Sequence, residues 1–361
     1  MDSQHTHYEE QPTVHHVHHG EHHSGKHSSS HTHRHKRKGS KAKFVIIGII
    51  AVILVALGAV AAYAAWFGKS LDDALAPDAS LLSEINDATT PAAEGEPFYA
   101  LVMASDSREG TNAEATEGDS ERSDVILLMR VDPANRKLTM VSVPRDTPYT
   151  FPDGSVKKLN ETYNQGGASM TIQAVEEVTG VKISHYAEMH FSDIKAMVDG
   201  LGGIVVNVDT AMKGTDLFTG ESISLEPGTQ QLNGAQAEVF LRTRKVYETD
   251  QDMHRQQNVR SFVNAVLSKV LHKPLYEIPG TILDLAQYMK TDMTSSDLTE
   301  LAQAFAAGDV TVYSCTGPDE GEINEDAGGL WLCYENPEGW KRLMDAVDAG
   351  EDPSGIDVNA R

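Results

Sequence analysis

Three apolar stretches in the first half of the chain predict β-strands. The stretches are "PFYALVMAS" (97–105), "DVILLMRV" (124–131) and "KLTMVSVP" (137–144). Near-continuous apolar runs of this length are typical of strands that are covered on both faces. The turn "DPANRK" between the last two is short and contains Pro and Asn, which predicts an antiparallel hairpin. We expect these strands to form the centre of a sheet.

Helical and strand-like patterns alternate along the rest of the chain. Apolar residues at helical spacing predict helices in "ASMTIQAVEEVTG", which ends at Gly180, in "SDIKAMVDGLGG", in "RQQNVRSFVNAVLSKVL" (255–271), and around 281–289 and 295–307. Short apolar runs predict strands in "HYAEMHF", "IVVNV" and "VTVYSC". This order predicts an α/β (α+β) domain with a mixed central β-sheet flanked by helices on both faces.

One segment near the N-terminus has the pattern of a transmembrane helix. Residues 44–67 contain no charged side chain, and as a helix they would span about 36 Å, against about 30 Å for the hydrocarbon core of a bilayer. A cleaved signal peptide is the alternative, but its apolar region is usually shorter. Basic residues precede the segment, whereas Asp72 and Asp73 follow it. This bias predicts a single-pass protein of the cell membrane with a cytoplasmic N-terminus and an extracellular domain.

These patterns divide the chain into five segments. We predict a disordered His-rich cytoplasmic tail (1–43), the transmembrane helix (44–67), an extracellular linker (68–96), a folded domain (97–315) and a C-terminal extension (316–361). The tail has too few apolar residues to form a core, so we expect it to be solvated. Loose contact of its histidines with metal ions or anionic lipid is the alternative.

Charge and cysteine content narrow the functional classes. The formal net charge is −23, and residues 1–43 are net basic, so the acidic excess lies entirely in the later segments. Such a surface repels a phosphate backbone, which argues against a nucleic-acid partner.

The two cysteines, Cys315 and Cys333, could form one disulfide outside the membrane or remain buried free thiols.

Arginines and aspartates occur where the predicted elements end. They are Asp106 and Arg108 after the first strand, Arg122 and Asp124 at the start of the second, Arg145 and Asp146 after the third, and Arg242, Arg244 and Arg255 further on. The predicted hairpin would bring the second and third groups together. Guanidinium groups bind phosphate oxygens in pairs, and carboxylates suit Mg²⁺ when phosphates complete its coordination. The pattern predicts a pyrophosphate site, with ordinary ion pairs at strand ends as the alternative. The outer segments lack the sequence motifs of serine hydrolases, zinc proteases and P-loop proteins.

An ordered set of motifs resembles the LytR-CpsA-Psr family, which comprises membrane-anchored enzymes of mainly Gram-positive cell walls. The motifs are "LVMASDSRE", "RSDVILLMRVD", "KLTMVSVPRDT", "KLNETYNQGG", "VDGLGGIVVNV", "LNGAQAEVFLRTRK" and "DMHRQQ". They extend over roughly residues 98–271, about half of the chain.

The resemblance implies a phosphotransferase of cell-wall assembly, with residues 97–315 as its catalytic domain. It would move a glycopolymer, such as a teichoic acid, from a polyprenyl-pyrophosphate carrier to a muramic-acid hydroxyl of peptidoglycan, forming a phosphodiester. It also implies Mg²⁺ held by Asp106 and Asp124, a pyrophosphate bound by Arg122, Arg145, Arg242, Arg244 and Arg255, and a catalytic group of Asp106, Arg145 and Asp146. Asp106 and Asp146 are the candidates for the general base.

Two departures from the family pattern concern substrate binding. The acidic insertion "EGTNAEATEGDSE" (109–121) could act as a flap, and Asn258 and Val259 stand where relatives carry a second Arg or a Gln. Two other functions remain open at this point. One is hydrolysis of a polyprenyl pyrophosphate by the same cluster, and the other is a non-catalytic binding or regulatory role in the envelope.

Overall fold

The structure is a computed structural model, and it describes residues 40–105, 123–216, 218–243, 246–247, 251–274 and 276–360. The chain divides into two compact units, residues 1–58 and 59–361. The described part of the first unit is the beginning of helix α1 (Ser40–Leu75), and all later elements belong to the second unit. Most of the predicted tail and the whole insertion at 109–121 lie outside the described residues.

Helix α1 is the candidate membrane span. Among the described residues, only the stretch Ala51–Leu75 is long and apolar enough to cross a bilayer, with a mean hydropathy of 2.1. Its last turns also pack within the second unit, where Leu71 and Leu75 are buried beside Ala286. The Asp72 carboxylate accepts a hydrogen bond of 2.6 Å from the Ser295 backbone N–H. The end of the apolar helix is therefore also part of the folded domain.

The second unit continues with fourteen strands and eight helices within its described residues. In chain order they are α2 (Ala79–Ala88), β1 (Phe98–Ser105), β2 (Ser123–Asp132), β3 (Lys137–Ser142), β4 (Pro148–Thr150), β5 (Val156–Lys158), α3 (Glu161–Thr179), β6 (Ile183–His190), α4 (Phe191–Gly200), β7 (Ile204–Val208), β8 (Met212–Thr215), β9 (Ser222–Leu225), β10 (Gly228–Leu232), α5 (Gly234–Arg242), α6 (Gln251–Leu271), α7 (Ile278–Ala286), β11 (Lys290–Thr291), α8 (Ser295–Ala306), β12 (Thr311–Thr316), β13 (Gly321–Asn324), β14 (Leu330–Cys333) and α9 (Pro337–Asp348).

Six strands form the central sheet in the order β11-β6-β1-β2-β3-β12. Strand β2 is antiparallel to both β1 and β3, and Asp132 pairs with Lys137 at the turn, so the predicted hairpin is confirmed. Strand β6 lies parallel to β1, and β12 lies parallel to β3, so the sheet is mixed. Strand β7 instead pairs with β10 in a separate two-stranded sheet.

Two apolar cores lie on opposite faces of the central sheet. Met103 packs with Ile172 of α3 and Leu343 of α9, whereas the next residue, Ala104, packs with Phe240 of α5. Consecutive side chains of a strand point to opposite faces, so one strand supplies both cores. Helices therefore cover both faces, which confirms the predicted fold class.

The first core includes residues from both sides of the predicted catalytic domain. Ile85 of α2, from the predicted linker, is 0% exposed, and Trp340 of α9, from the predicted extension, is 4% exposed. The domain boundaries stay a prediction, but the packing links all three segments.

Candidate functional site

One edge of the central sheet brings together chain segments that are far apart in sequence. Strands β1, β3 and β12 end there, at Ser105, Ser142 and Thr316. Strand β2 begins there, at Ser123, because it is antiparallel to both of its neighbours. The turns and loops that leave this edge hold the candidate site.

The structure describes the side chains of four of the eight predicted site residues. Asp106, Arg122 and Arg244 lie outside the described residues, and for Asp124 the structure describes the backbone position in β2. The four with described side chains are Arg145, Asp146, Arg242 and Arg255.

Arg145 and Asp146 lie in a tight turn just after β3. The Thr147 N–H donates to the Pro144 carbonyl at 3.1 Å, which closes the turn. The Arg145 carbonyl accepts from the Asn160 N–H at 3.2 Å, and the Asp146 carbonyl accepts from the Cys333 N–H at 3.0 Å. Backbone bonds to two distant segments thus fix the position of both side chains.

Asp146 carries a largely buried carboxylate between two cations. Its side chain is 9% exposed, and the Lys158 ammonium lies 2.6 Å from Oδ1. The Arg145 Nε lies 3.7 Å from Oδ2, and the Arg145 side chain is 20% exposed. A buried carboxylate is tolerated when it is paired. Among the described residues, the turn and the adjacent Lys158 of β5, together called the cationic turn, combine two cations and one anion.

These three side chains line one wall of a cavity of about 890 Å³. Met253 and Gln256 of α6 contribute to the same cavity. The remaining wall comes from the C-terminal segment, and its side chains include Asp319, Glu320, Trp331, Cys333, Tyr334 and Asn359. The volume lies within the range of small-molecule sites, about 300–1,000 Å³. It can hold a diphosphate together with a sugar.

Arg255 lies at the same edge, below the surface. It is 2% exposed and lines a small pocket with Ser142 and Val143, at the end of β3. Its neighbour Gln256 lines both this pocket and the larger cavity. The fold therefore places Arg145, Asp146 and Arg255 at the same edge of the sheet, although Arg255 lines a separate pocket.

Arg242 has a different environment. It is the last residue of α5, and its Nη1 donates to Glu238 Oε1 at 3.0 Å, one turn earlier in the same helix. Glu238 is 0% exposed, so this arginine neutralises a buried carboxylate. Arg242 does not line the cavity in the described part of the chain.

The sequence-based assignment missed two cations at this edge. Lys158 is the first residue of the motif "KLNETYNQGG", and its place in a family motif could have indicated a role in the site. Arg260 of α6 donates from Nη1 to Ser142 Oγ and to Thr316 Oγ1, both at 2.8 Å, which ties together the ends of β3 and β12. Burial lowers the pKa of Arg260 from its ordinary value.

Asn258, at one of the two divergent positions, is 3% exposed and donates to the Phe240 carbonyl at 3.1 Å.

Both cysteines are buried thiols, so of the two alternatives the disulfide is not formed. The Cys315 thiol points at the Met140 carbonyl, and the Cys333 thiol points at the Asp319 carbonyl, each at 3.8 Å. Burial raises the pKa of Cys315 to about 12, although the nearby Arg260 opposes the shift.

Sequence comparison finds relatives over most of the chain. Residues 71–337 match the LytR_cpsA_psr family. A protein of Enterococcus faecalis named polyisoprenyl-teichoic acid–peptidoglycan teichoic acid transferase TagU is 30% identical over 270 residues, which is 73% of this chain and 83% of the relative. The protein of the same name from Bacillus licheniformis is 28% identical over 273 residues, which is 75% of this chain and 84% of the relative.

Comparison of structures agrees with the sequence. The crystal structure of Bacillus subtilis TagV superposes with a TM-score of 0.59 at 22% identity, over 72% of this chain and 99% of that one, and shares the fold. Residues 71–337, which match the family in sequence, include the sheet edge, the turn after β3 and helix α6. The chain therefore belongs to the LytR_cpsA_psr family, as its motifs indicated.

Proposed function

We propose that this protein is a membrane-anchored transferase that moves a glycopolymer from a polyprenyl-pyrophosphate carrier to peptidoglycan. The observation that carries the proposal is the cationic turn of Arg145 and Lys158, which faces a cavity of about 890 Å³ at the sheet edge. The names of the TagU relatives support it, because they state a polyisoprenyl-linked donor and a peptidoglycan acceptor. Teichoic acid is accordingly the first polymer to test.

The reaction is a substitution at phosphorus. The oxygen of a muramic-acid hydroxyl attacks the phosphorus that carries the sugar, and the bond from this phosphorus to the bridging oxygen breaks. Polyprenyl phosphate leaves with the bridging oxygen, the hydroxyl proton passes to a base, and the product is a phosphodiester. Phosphoryl transfer depends mainly on positioning and charge neutralisation. A site built from guanidinium and ammonium groups suits this chemistry without a nucleophilic serine or cysteine.

Each charged residue then has a proposed role. Arg145 binds the diphosphate, and Arg122, Arg242, Arg244 and Arg255 remain proposed phosphate ligands from the sequence. Lys158 adds a cation that the sequence-based assignment did not include. Because Asp146 contacts both Lys158 and Arg145, we assign it to positioning these cations. Asp106 is then the preferred candidate for taking up the hydroxyl proton.

The residues suit Mg²⁺ only if the ligands are the two predicted aspartates. The described part of the chain contains no group of three or more His, Cys, Asp or Glu arranged to hold a metal. The buried carboxylate of Asp146 is occupied by the Lys158 ammonium at 2.6 Å, so it is a poor ligand for a cation. Mg²⁺ needs only one or two carboxylates when phosphates and water complete its shell. Asp106 and Asp124 would hold it, and when bound it would neutralise charge on the diphosphate.

We further propose that the cavity faces the outside of the cell. Basic residues lie before the apolar helix and acidic residues after it, which places the N-terminus in the cytoplasm. Both substrates, the lipid-linked polymer and the peptidoglycan, would then be on the same side as the domain.

The test is transfer by the full chain in detergent micelles, with a lipid-linked teichoic acid donor and a peptidoglycan acceptor. We expect Arg145→Ala to lower kcat/KM by about 10²-fold or more, because it removes a charge from the transition state. Arg136→Ala is the matched control, since it removes an arginine from the turn between β2 and β3 at the opposite edge of the sheet. Equal activity of the two variants would refute the assignment of Arg145.

The same assay separates the alternatives. Release of phosphate without covalent attachment of polymer to peptidoglycan would indicate a hydrolase. Tight donor binding without turnover at any Mg²⁺ concentration would indicate a binding protein.

A further inference from the structure

The second wall of the cavity differs chemically from the wall that carries Arg145. It consists of the hairpin β13–β14 and the residues around it, and it presents the indole of Trp331 with the carboxylates of Asp319 and Glu320. The cavity therefore joins a cationic half to a half that is aromatic and acidic. A diphosphate fits the first half, and the second half calls for a different ligand.

Trp331 is exposed although its side chain is large and apolar. It is 40% exposed, whereas the next residue of β14, Leu332, is 3% exposed and Trp340 in the core is 4% exposed. Alternation along the strand turns the indole away from the core and into the cavity. A partly exposed indole that lines a cavity offers an apolar surface and an N–H donor, which is the pattern of a binding residue.

The hairpin is held rigidly against the cationic turn. The Cys333 N–H donates to the Asp146 carbonyl at 3.0 Å, and the Tyr334 N–H donates to the Glu320 carbonyl at 2.7 Å. Gly321 allows close approach of the two strands, because a Cβ there would lie 2.1 Å from the Leu332 carbonyl oxygen. Asn359 donates to Asp319 Oδ1 at 3.0 Å and orients that carboxylate. Trp331 thus lies two residues from the backbone hydrogen bond that joins the hairpin to Asp146.

We propose that this wall binds an uncharged N-acetylated sugar of the acceptor glycan strand, stacked on Trp331. The proposal rests on the proposed function, because it requires an acceptor beside the diphosphate. A sugar ring has an apolar face that matches the indole, and its hydroxyl and amide groups can donate to carboxylates. Ionised carboxylates only accept hydrogen bonds and cannot donate to phosphate oxygens, which favours the neutral glycan over the anionic donor polymer on this side.

Binding of a soluble N-acetylglucosamine tetrasaccharide to the full chain in detergent micelles tests the proposal directly. The probe contains neither phosphate nor lipid, so calorimetry reports this subsite alone. We expect saturable binding that Trp331→Ala weakens at least tenfold, or about 1.4 kcal/mol, and that Trp331→Phe partly restores. Ile323→Ala is the matched control, because Ile323 pairs with Trp331 across the hairpin, is 60% exposed, and does not line the cavity in the described part of the chain.

Four results would overturn the proposal. The first is no saturation of the wild type up to about 10 mM probe, which corresponds to a binding free energy of less than about 3 kcal/mol. The second is equal affinity of Trp331→Ala and the wild type, and the third is an equal loss of affinity in Ile323→Ala. The fourth is equal or tighter Trp331-dependent binding of a polyglycerol phosphate. An equal loss in Ile323→Ala would instead indicate a general apolar surface, such as one that contacts lipid.

A transfer assay distinguishes failure of this proposal from failure of the proposed function. Trp331→Ala should raise the KM for the glycan acceptor about tenfold while the KM for the lipid-linked donor does not rise. If the wild type fails to transfer polymer at all, the proposed function is wrong, and the tetrasaccharide titration still decides whether the wall binds sugar.

Discussion

The contact between Asp146 and Lys158 allows a quantitative test of how the site is built. The two charged atoms are 2.6 Å apart, and the side chains are 9% and 23% exposed. At an effective dielectric constant of about 20, the Coulomb attraction at this distance is about 6 kcal/mol, and desolvation of both groups cancels most of it. Exposed pairs contribute about 0–1 kcal/mol, whereas removing one partner of a fully buried pair costs about 3–5 kcal/mol. We therefore expect a coupling free energy of about 2 kcal/mol.

A double-mutant cycle measures this coupling. The wild type, Asp146→Asn, Lys158→Met and the double variant are unfolded with urea, and tryptophan fluorescence reports the free energy of unfolding. The pair Lys341–Asp345 is the control, because its atoms are also 2.6 Å apart but both side chains are 65% exposed. For that pair we expect no measurable coupling, because water screens both charges. Equal coupling in the two cycles would refute the argument that burial gives the Asp146 pair its strength.

The same variants test the proposed positioning role. In Lys158→Met, the Asp146 carboxylate keeps Arg145 as a neighbouring cation at 3.7 Å. We expect the guanidinium to move towards it and away from the diphosphate, so the KM for the donor should rise. The double variant should recover part of this loss because the uncompensated carboxylate is gone. Unchanged donor KM in Lys158→Met would contradict the role given to Asp146.

Three further predictions concern the core and the two cysteines. Ile172→Ala should lower the free energy of unfolding by about 2–5 kcal/mol in urea titrations, because the Ile172 side chain in α3 is 0% exposed. Val205→Ala is the control and should change the free energy of unfolding little, because Val205 is 57% exposed. Cys315 should resist alkylation by iodoacetamide at pH 8 in the folded protein and react after unfolding, because burial raises the pKa of its thiol from 9.0 to about 12. Since the raised pKa disfavours the thiolate in the folded state, Cys315 should also lower stability as pH rises above the unfolded value, and Cys315→Ser should weaken this dependence on pH. Cys333→Ser should retain most transfer activity, because the proposed reaction uses no thiol, and loss of turnover with intact donor binding would contradict this.

The sequence by itself determined the strands of the hairpin and several of the helices, and it predicted a phosphate site. The apolar runs of β1, β2 and β3 and the short turn between the last two gave the hairpin, because strand periodicity and turn composition act within a few residues. Gly180 ends α3 with a φ of 76°, in the left-handed region that glycine adopts most easily. The motifs around Arg145 indicated the family, and the arginines and aspartates at strand ends indicated a phosphate site.

Only the tertiary structure decided which side chains meet. The contact of Lys158 with Asp146 and the placement of Trp331 in the cavity both depend on packing between separate segments. The two cysteines are close in sequence, yet their thiols point at different carbonyls. Local patterns fix which residues form a strand or helix, whereas contacts between distant segments depend on how whole faces are buried against each other. For that reason the acidic aromatic wall facing Arg145 became visible only in the folded chain.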